Sequence, residues 1–263
     1  MMKKLNQRRV QLKNKLRRRE KVLAAWTSLS HPSITEIFSR IGVDFIGIDI
    51  EHSTINQGES QRIIAAAQAG CSLCLPRVAT HNMEMIKRLL DSGADGIIVP
   101  MVANADEVKK IVAWMKYPPI GKRGFGIARA QGYGFDFNEY IFHWNRVSSL
   151  IVQIESIEAV NNIEEILSFD EVDAVMVGPY DISGSLGIPG QLDHPKVQNA
   201  AKRVIAACVK YKKGCGTQVI EPDIKNVAAK IKAGYTFIVL ASDIFMLWQW
   251  SAKMQNIVKQ INS

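Results

Sequence analysis

The sequence has no apolar run near the roughly 20 residues that a bilayer-spanning helix needs. No membrane span is expected. Cysteine is scarce: Cys71, Cys74, Cys208 and Cys215 are the only four in 263 residues. Cys71-x-x-Cys74 has zinc-like spacing, but no second pair at ligand spacing follows it. Both lie in the apolar run CSLCLPR, so the cysteines read as reduced core residues of a cytoplasmic protein. The first residues lack the apolar stretch of a secretory signal and the serines of a transit peptide. A glycine-rich dinucleotide fingerprint is also missing, because TSLSHPS occupies the place after the first strand-like run.

Charge is present but uneven. The formal charge of +8 resides in residues 1–20, which hold nine Lys or Arg and one acid. The remainder is neutral. A basic N-terminal helix or tail over 1–20 is therefore expected, followed by one domain over 21–263. Binding of RNA, DNA or anionic lipid through this segment is the lesser reading, since a solvated charged helix explains it as well.

From residue 22 onward, strand-like and helix-like patterns alternate. The strand-like runs are VLAAWTSL (22–29), FIGIDI (45–50), CSLCLPR (71–77), GIIVP (96–100), SLIVQIE (149–155), AVMVG (174–178), GCGTQV (214–219) and FIVLA (237–241). A helical pattern follows each, after a loop in the case of AVMVG. Eight such units predict an α/β fold, a (β/α)8 TIM barrel. One connection is long: residues 117–147 are rich in Gly, aromatic and basic residues and read as a loop, either a lid or an oligomer contact.

In such barrels the C-terminal strand ends carry the chemistry. Here they bring Asp49, Glu51 and His52, then Arg77, then Gln153 and Glu155, then Tyr180 and Asp181. Gln153 and Glu155 lie two apart on one face of an otherwise apolar strand, and a buried carboxylate needs a partner. Glu155 and Asp181 end neighbouring strands, about 4.8 Å apart in a parallel sheet. A divalent cation with oxygen ligands, Mg, Mn or Co, resolves their repulsion. An ion pair from Glu155 to Arg77 is the alternative. His52 is placed to act as a general base, or is structural. Arg77 suits a carboxylate or enolate. The turn GPYDISGSLG offers backbone N–H groups to an anion.

The stretches IDIEHSTIN, LPRVATHNMEMIKRLLDSGADGIIVPMV, YPPIGKRGFGIARA, QIESIEAVNNIEEI, VGPYDISGSLG and LASDIFML, in this order, resemble the HpcH/HpaI aldolase family, the metal-dependent pyruvate aldolases related to citrate lyase β subunits. The resemblance implies Glu155 and Asp181 as metal ligands. It implies Arg77 as the residue that binds the pyruvoyl group, with Gln153 touching substrate and bound water. His52 resembles the acid/base histidine, and Asp49 belongs to the same motif. Asp91 resembles an aspartate that supports the histidine of a neighbouring subunit, so a homo-oligomer of hexamer type with shared sites is implied. The amides around Tyr180 and Asp181 would receive the substrate carboxylate. The implied reaction is reversible cleavage of a 4-hydroxy-2-oxo acid, of the 4-hydroxy-2-oxoheptanedioate or 2-keto-3-deoxy sugar acid type, to pyruvate and an aldehyde. Another lyase of the pyruvate-enolate superfamily is the alternative, and a non-catalytic protein that binds through its basic N-terminus is a third. No strand core or strand end holds a lysine, which argues against Schiff-base chemistry. Tyr180 departs from the small residue of many relatives and leaves the aldehyde open.

Overall fold

Short runs of Val, Ile, Leu and Ala, buried on both faces, suit parallel strands covered by helices. Eight of them form: β1 (Val22–Thr27), β2 (Phe45–Asp49), β3 (Leu73–Arg77), β4 (Gly96–Val99), β5 (Ser149–Ile154), β6 (Ala174–Val177), β7 (Gly214–Val219) and β8 (Phe237–Leu240). In the computed structural model, which describes residues 2–262, they pair in sequence order as a closed parallel barrel, with Val22 of β1 beside Phe237 of β8. The fold is a (β/α)8 barrel.

Alternation along each strand divides the core in two. Trp26, Phe45, Leu73, Leu75, Ile98, Ile151, Met176 and Phe237 fill the interior. Ile46, Ile48, Cys74, Ile97, Val152 and Val175 face outward under the helices. Gly47 and Gly216 are bare because a Cβ there would enter the rings of Trp26 and Phe237. The covering helices are α2 (Pro32–Phe38), α3 (Gln57–Ala69), α4 (Met83–Asp91) and α5 (Ala105–Met115), then α6 (Phe137–Val147), α7 (Ile157–Asn161), α8 (Ile163–Leu167) and α9 (Pro179–Ser185), then α10 (Pro195–Lys210) and α11 (Ile224–Lys232). Asn56 and Glu59 form a reciprocal capping box at the start of α3, and Asn82 and Asn104 cap α4 and α5.

The basic N-terminal segment is helix α1 (Met2–Arg17), and it is part of the barrel. Leu5, Leu12 and Leu16 are buried beneath the interior cluster. The cations between them meet carboxylates at the N-terminal rim. Arg9 Nε lies 2.7 Å from Asp95 Oδ1, and Lys13 Nζ and Arg17 Nε each lie 2.7 Å from Asp173. Much of its charge is therefore offset inside the fold.

Residues 117–147 are not one loop, which corrects that expectation. A 3-10 turn (Arg129–Gly134) leads into α6, where Tyr140, Trp144 and Val147 are buried at helical spacing. The Arg123 guanidinium sits over the rings of Tyr117, Tyr140 and Trp144, at 4.8, 5.6 and 4.9 Å. The single helix expected after β5 is two short ones, α7 and α8, broken at Asn162.

The last helix, α12 (Asp243–Ile261), buries only Asp243. Leu247, Trp248, Trp250, Met254 and Ile257 are exposed along it. Among the described residues no helix is long and apolar enough to cross a membrane.

Candidate active site

The parallel register sets Asp49 of β2 beside Arg77 of β3 at the barrel mouth. Their side chains form a two-pronged pair: Arg77 Nε donates to Asp49 Oδ1 at 3.1 Å, and Nη2 to Oδ2 at 2.7 Å. Asp49 Oδ1 also accepts the backbone N–H groups of Glu51 and His52, at 3.2 and 3.1 Å. Asp49 thus fixes both the guanidinium and the turn that carries His52. The third side of the guanidinium, Nη1, lies 3.1 Å from Glu51 Oε2. That contact lacks hydrogen-bond alignment and leaves Oε2 buried without a hydrogen bond. Burial holds the Glu51 carboxyl above its ordinary pKa, against the pull of Arg77 and His52. The Arg77 guanidinium also stacks over Trp26, 5.3 Å from the ring centre.

Across the mouth, Gln153 and Glu155 follow the inward face of β5. They are 2% and 5% exposed, which is deep for polar groups. Gln153 Nε2 donates to Glu155 Oε1 at 2.8 Å, and the Met101 N–H donates to Oε2 at 2.7 Å. Met101 holds φ of +51°, a left-handed conformation that a long side chain adopts at a cost. Glu155 is therefore partnered by Gln153 and the Met101 amide, and the alternative ion pair to Arg77 is not formed. Burial is the main cause that pushes the Glu155 carboxyl up to about 7. Asp181 and Glu51 act in the same direction, and the Met101 amide and Arg77 oppose it.

Glu155 and Asp181 close around Gly178. A Cβ on Gly178 would stand 2.7 Å from Glu155 Cγ, 3.0 Å from Asp181 Oδ2 and 3.2 Å from Glu155 Oε1. The two carboxylate oxygens are thus no farther apart than the last two lengths laid end to end. Gln153 Oε1, buried nearby, accepts no hydrogen bond. Among the described residues no group of three or more His, Cys, Asp or Glu could hold a metal ion. Two carboxylates with an unsatisfied amide oxygen beside them still fit a hard cation such as Mg, which binds through one or two carboxylates and keeps water or substrate on its other positions.

The other expected residues divide. His52 stands at the mouth with its side chain 71% exposed, and its Nε2 is 3.7 Å from Glu51 Oε2. Tyr180 is exposed on the rim, its hydroxyl 3.4 Å from where a Cβ of Gly190 would stand. Asp91 is not brought to this site. It ends α4 at the opposite rim, where Arg123 Nη2 donates to its Oδ1 at 2.6 Å. Sequence reasoning assigned no role to Glu51 and Met101. Glu51 carried a signal, because Asp49-x-Glu51 repeats the polar alternation of Gln153-x-Glu155. The Met101 amide carried none, since any residue supplies one.

Comparison with known proteins identifies the family. The family model for HpcH/HpaI aldolase/citrate lyase matches residues 23–249. A hydroxypyruvate/pyruvate aldolase of Roseobacter denitrificans is 34% identical over 237 residues, 89% of this chain and 91% of the relative. A 5-keto-4-deoxy-D-glucarate aldolase of Klebsiella pneumoniae is 30% identical over 238 residues, 90% of this chain and 92% of that one. A crystal structure of an HpcH/HpaI aldolase/citrate lyase family protein from Burkholderia cenocepacia superposes with a TM-score of 0.88 at 29% identity, covering 95% of this chain and 99% of its own.

Proposed function

The chain belongs to the HpcH/HpaI aldolase/citrate lyase family, and from that premise we propose that it is a divalent-metal-dependent aldolase that cleaves or forms 4-hydroxy-2-oxo acids. The substrates are of the 4-hydroxy-2-oxoheptanedioate or 2-keto-3-deoxy sugar acid type, and the products are pyruvate and an aldehyde. The observation that carries this reading is the approach of Glu155 and Asp181 around Gly178, opposite an arginine locked by Asp49.

Glu155 and Asp181 would hold the cation, and Mg, Mn or Co suits their oxygens. Such a cation, when bound, supplies positive charge that polarises the 2-oxo group. Gln153 orients substrate and water through its free Oε1. Arg77 binds the pyruvoyl group and offsets the negative charge that develops as the C3–C4 bond breaks. Backbone amides around Tyr180 and Asp181 receive the carboxylate. His52 takes the proton of the 4-hydroxyl, directly or through a water, and the aldehyde leaves. The bonding electrons stay on C3, a proton from water adds there to give pyruvate, and His52 returns its own proton to solvent. Asp49 touches Arg77 and the His52 turn rather than the substrate, so its part is positioning.

Asp91 lies at the far rim of its own barrel, so its service to a His52 requires a second subunit. The exposed apolar face of α12 supports a homo-oligomer, and a hexamer-type arrangement is what the family resemblance implies. The experiment that tests the function is pyruvate release from 4-hydroxy-2-oxoheptanedioate and a panel of 2-keto-3-deoxy sugar acids. It is run with EDTA, then with added Mg, Mn or Co, on wild type and Glu155→Ala. Metal-restored release that the variant lacks is expected. No release from folded protein with any metal would overturn the aldolase reading.

A further inference from the structure

Among the described residues, Glu51 Oε2 is the one buried carboxylate oxygen that makes no hydrogen bond. Asp49 is fully used: its two oxygens hold Arg77, and Oδ1 holds the turn as well. Glu51 Oε2 instead lies between a guanidinium and an imidazole, 3.1 Å from Arg77 Nη1 and 3.7 Å from His52 Nε2. The first contact is an ion pair without alignment, and the second is too long for a hydrogen bond. The titratable and charged groups around Glu51 are Arg77, His52, Asp49, Asp181 and Glu155. Three of these are acids that weaken its hold, and two are cations, or can become so, that compete for it.

A guanidinium ringed by Asp49 and Glu51 has only part of its charge to offer an anion. An anionic substrate that engages Nη1 must displace Glu51 Oε2. The displaced oxygen needs to move only about 1 Å to reach hydrogen-bond distance from His52 Nε2. His52 is exposed enough to meet it. Resting on the aldolase reading, we infer that Glu51 is a positioning residue that exchanges partners: it yields Arg77 to the bound 2-oxo acid and then holds the imidazole of His52 through Nε2. The proton that His52 takes from the 4-hydroxyl remains on the imidazole, and the Glu51 carboxylate stabilises the imidazolium. Substrate binding at Arg77 and protonation at His52 are thereby coupled, and linkage makes that coupling reciprocal.

The test uses oxalate, a dianion shaped like the pyruvate enolate, on the full-length protein in magnesium. The His52 imidazole is titrated by NMR with and without oxalate, its signal assigned through His52→Asn. In wild type, oxalate raises the pH at which His52 titrates. In Glu51→Gln, a substitution of nearly the same shape, that rise disappears. The same variant binds oxalate at least about threefold more tightly, because Arg77 is released, while kcat falls on the order of tenfold. A residue that merely buttressed Arg77 would give the opposite sign, with weaker oxalate binding. That result, a rise equal in the variant, or no rise in wild type would overturn the inference, and the last needs no variant to fold. Pyruvate release without an oxalate-dependent change at His52 removes the role of Glu51 and leaves the aldolase reading intact. Absence of pyruvate release from every 4-hydroxy-2-oxo acid removes the aldolase reading itself.

Discussion

Gly178 sets how closely Glu155 and Asp181 approach. Its missing Cβ would enter the space between their side chains, so Gly178→Ala is expected to part them. The fold should survive, since the atoms nearest the methyl belong to these side chains and not to backbone. Affinity for Mn should fall by about 10- to 100-fold, the usual cost of disturbing the support of a metal site. Calorimetric titration of metal-free protein checks this, and unchanged affinity would remove Gly178 from the site. Much of this neighbourhood was legible in the sequence. Polar residues two apart at a strand end have few meanings, and Gln153 and Glu155 stood out for that reason. The same rhythm at Asp49 and Glu51 was partly masked by the adjacent histidine, which drew the chemical interest. The partners of Glu155 were not legible. One is a backbone amide at Met101, 54 residues away, turned inward by an unusual φ.

At the scale of elements, α1 closes the barrel floor with charge as well as with leucines. Asp173 is fully buried and accepts from Lys13, Arg17 and the Leu150 amide. Burial alone would raise its pKa. The neighbouring cations Lys13, Lys116 and Arg17 outweigh this and hold it below the ordinary value. The unfolded chain therefore binds a proton more readily, and stability rises with pH across that window. The contribution is complete above the ordinary carboxylate value, near 4, and is lost as pH falls through the lower native one. Asp173→Asn leaves the buried Lys13 and the part-exposed Arg17 without their carboxylate and should cost about 3 kcal/mol at pH 7. Urea unfolding at pH 7 and pH 3 checks both statements, because the variant should lose less than wild type on acidification. Deletion of residues 1–20 should destroy the near-UV circular dichroism of the whole barrel. A separable basic arm would leave that spectrum intact. The sequence showed the charge of α1 but not the burial of Leu5, Leu12 and Leu16, because the charged residues around them read as a solvated helix or tail. Asp95 and Asp173, which receive that charge, lie far along the chain, and no local pattern joins them to it. Similarly, the glycines of residues 117–147 gave the whole segment the look of a loop and hid the helical spacing of Tyr140, Trp144 and Val147 in α6.

At the scale of the molecule, the eight strands and their order followed from periodicity, since each βα unit is a local pattern and right-handed crossovers leave few arrangements. Assembly was a matter of resemblance only. A helix that exposes Leu247, Trp248, Trp250 and Met254 together is costly in water. Leu247→Asp combined with Trp248→Glu should therefore shift the protein to smaller species in sedimentation velocity and lower its activity. A monomeric wild type with full activity would remove both the oligomer and the role of Asp91.

The position of α1 also bears on the order in which the protein can form. Arg19, at the end of this first segment, donates to the carbonyls of Lys213 and Gly234, 194 and 215 residues later. Chains are synthesised at about 5–20 residues per second. During synthesis, then, the basic helix emerges with none of these partners yet made, and for many seconds its leucines and cations face solvent or a chaperone. Contacts this distant in sequence slow folding. Of the elements of this barrel, the one earliest in sequence is among the last to find its place.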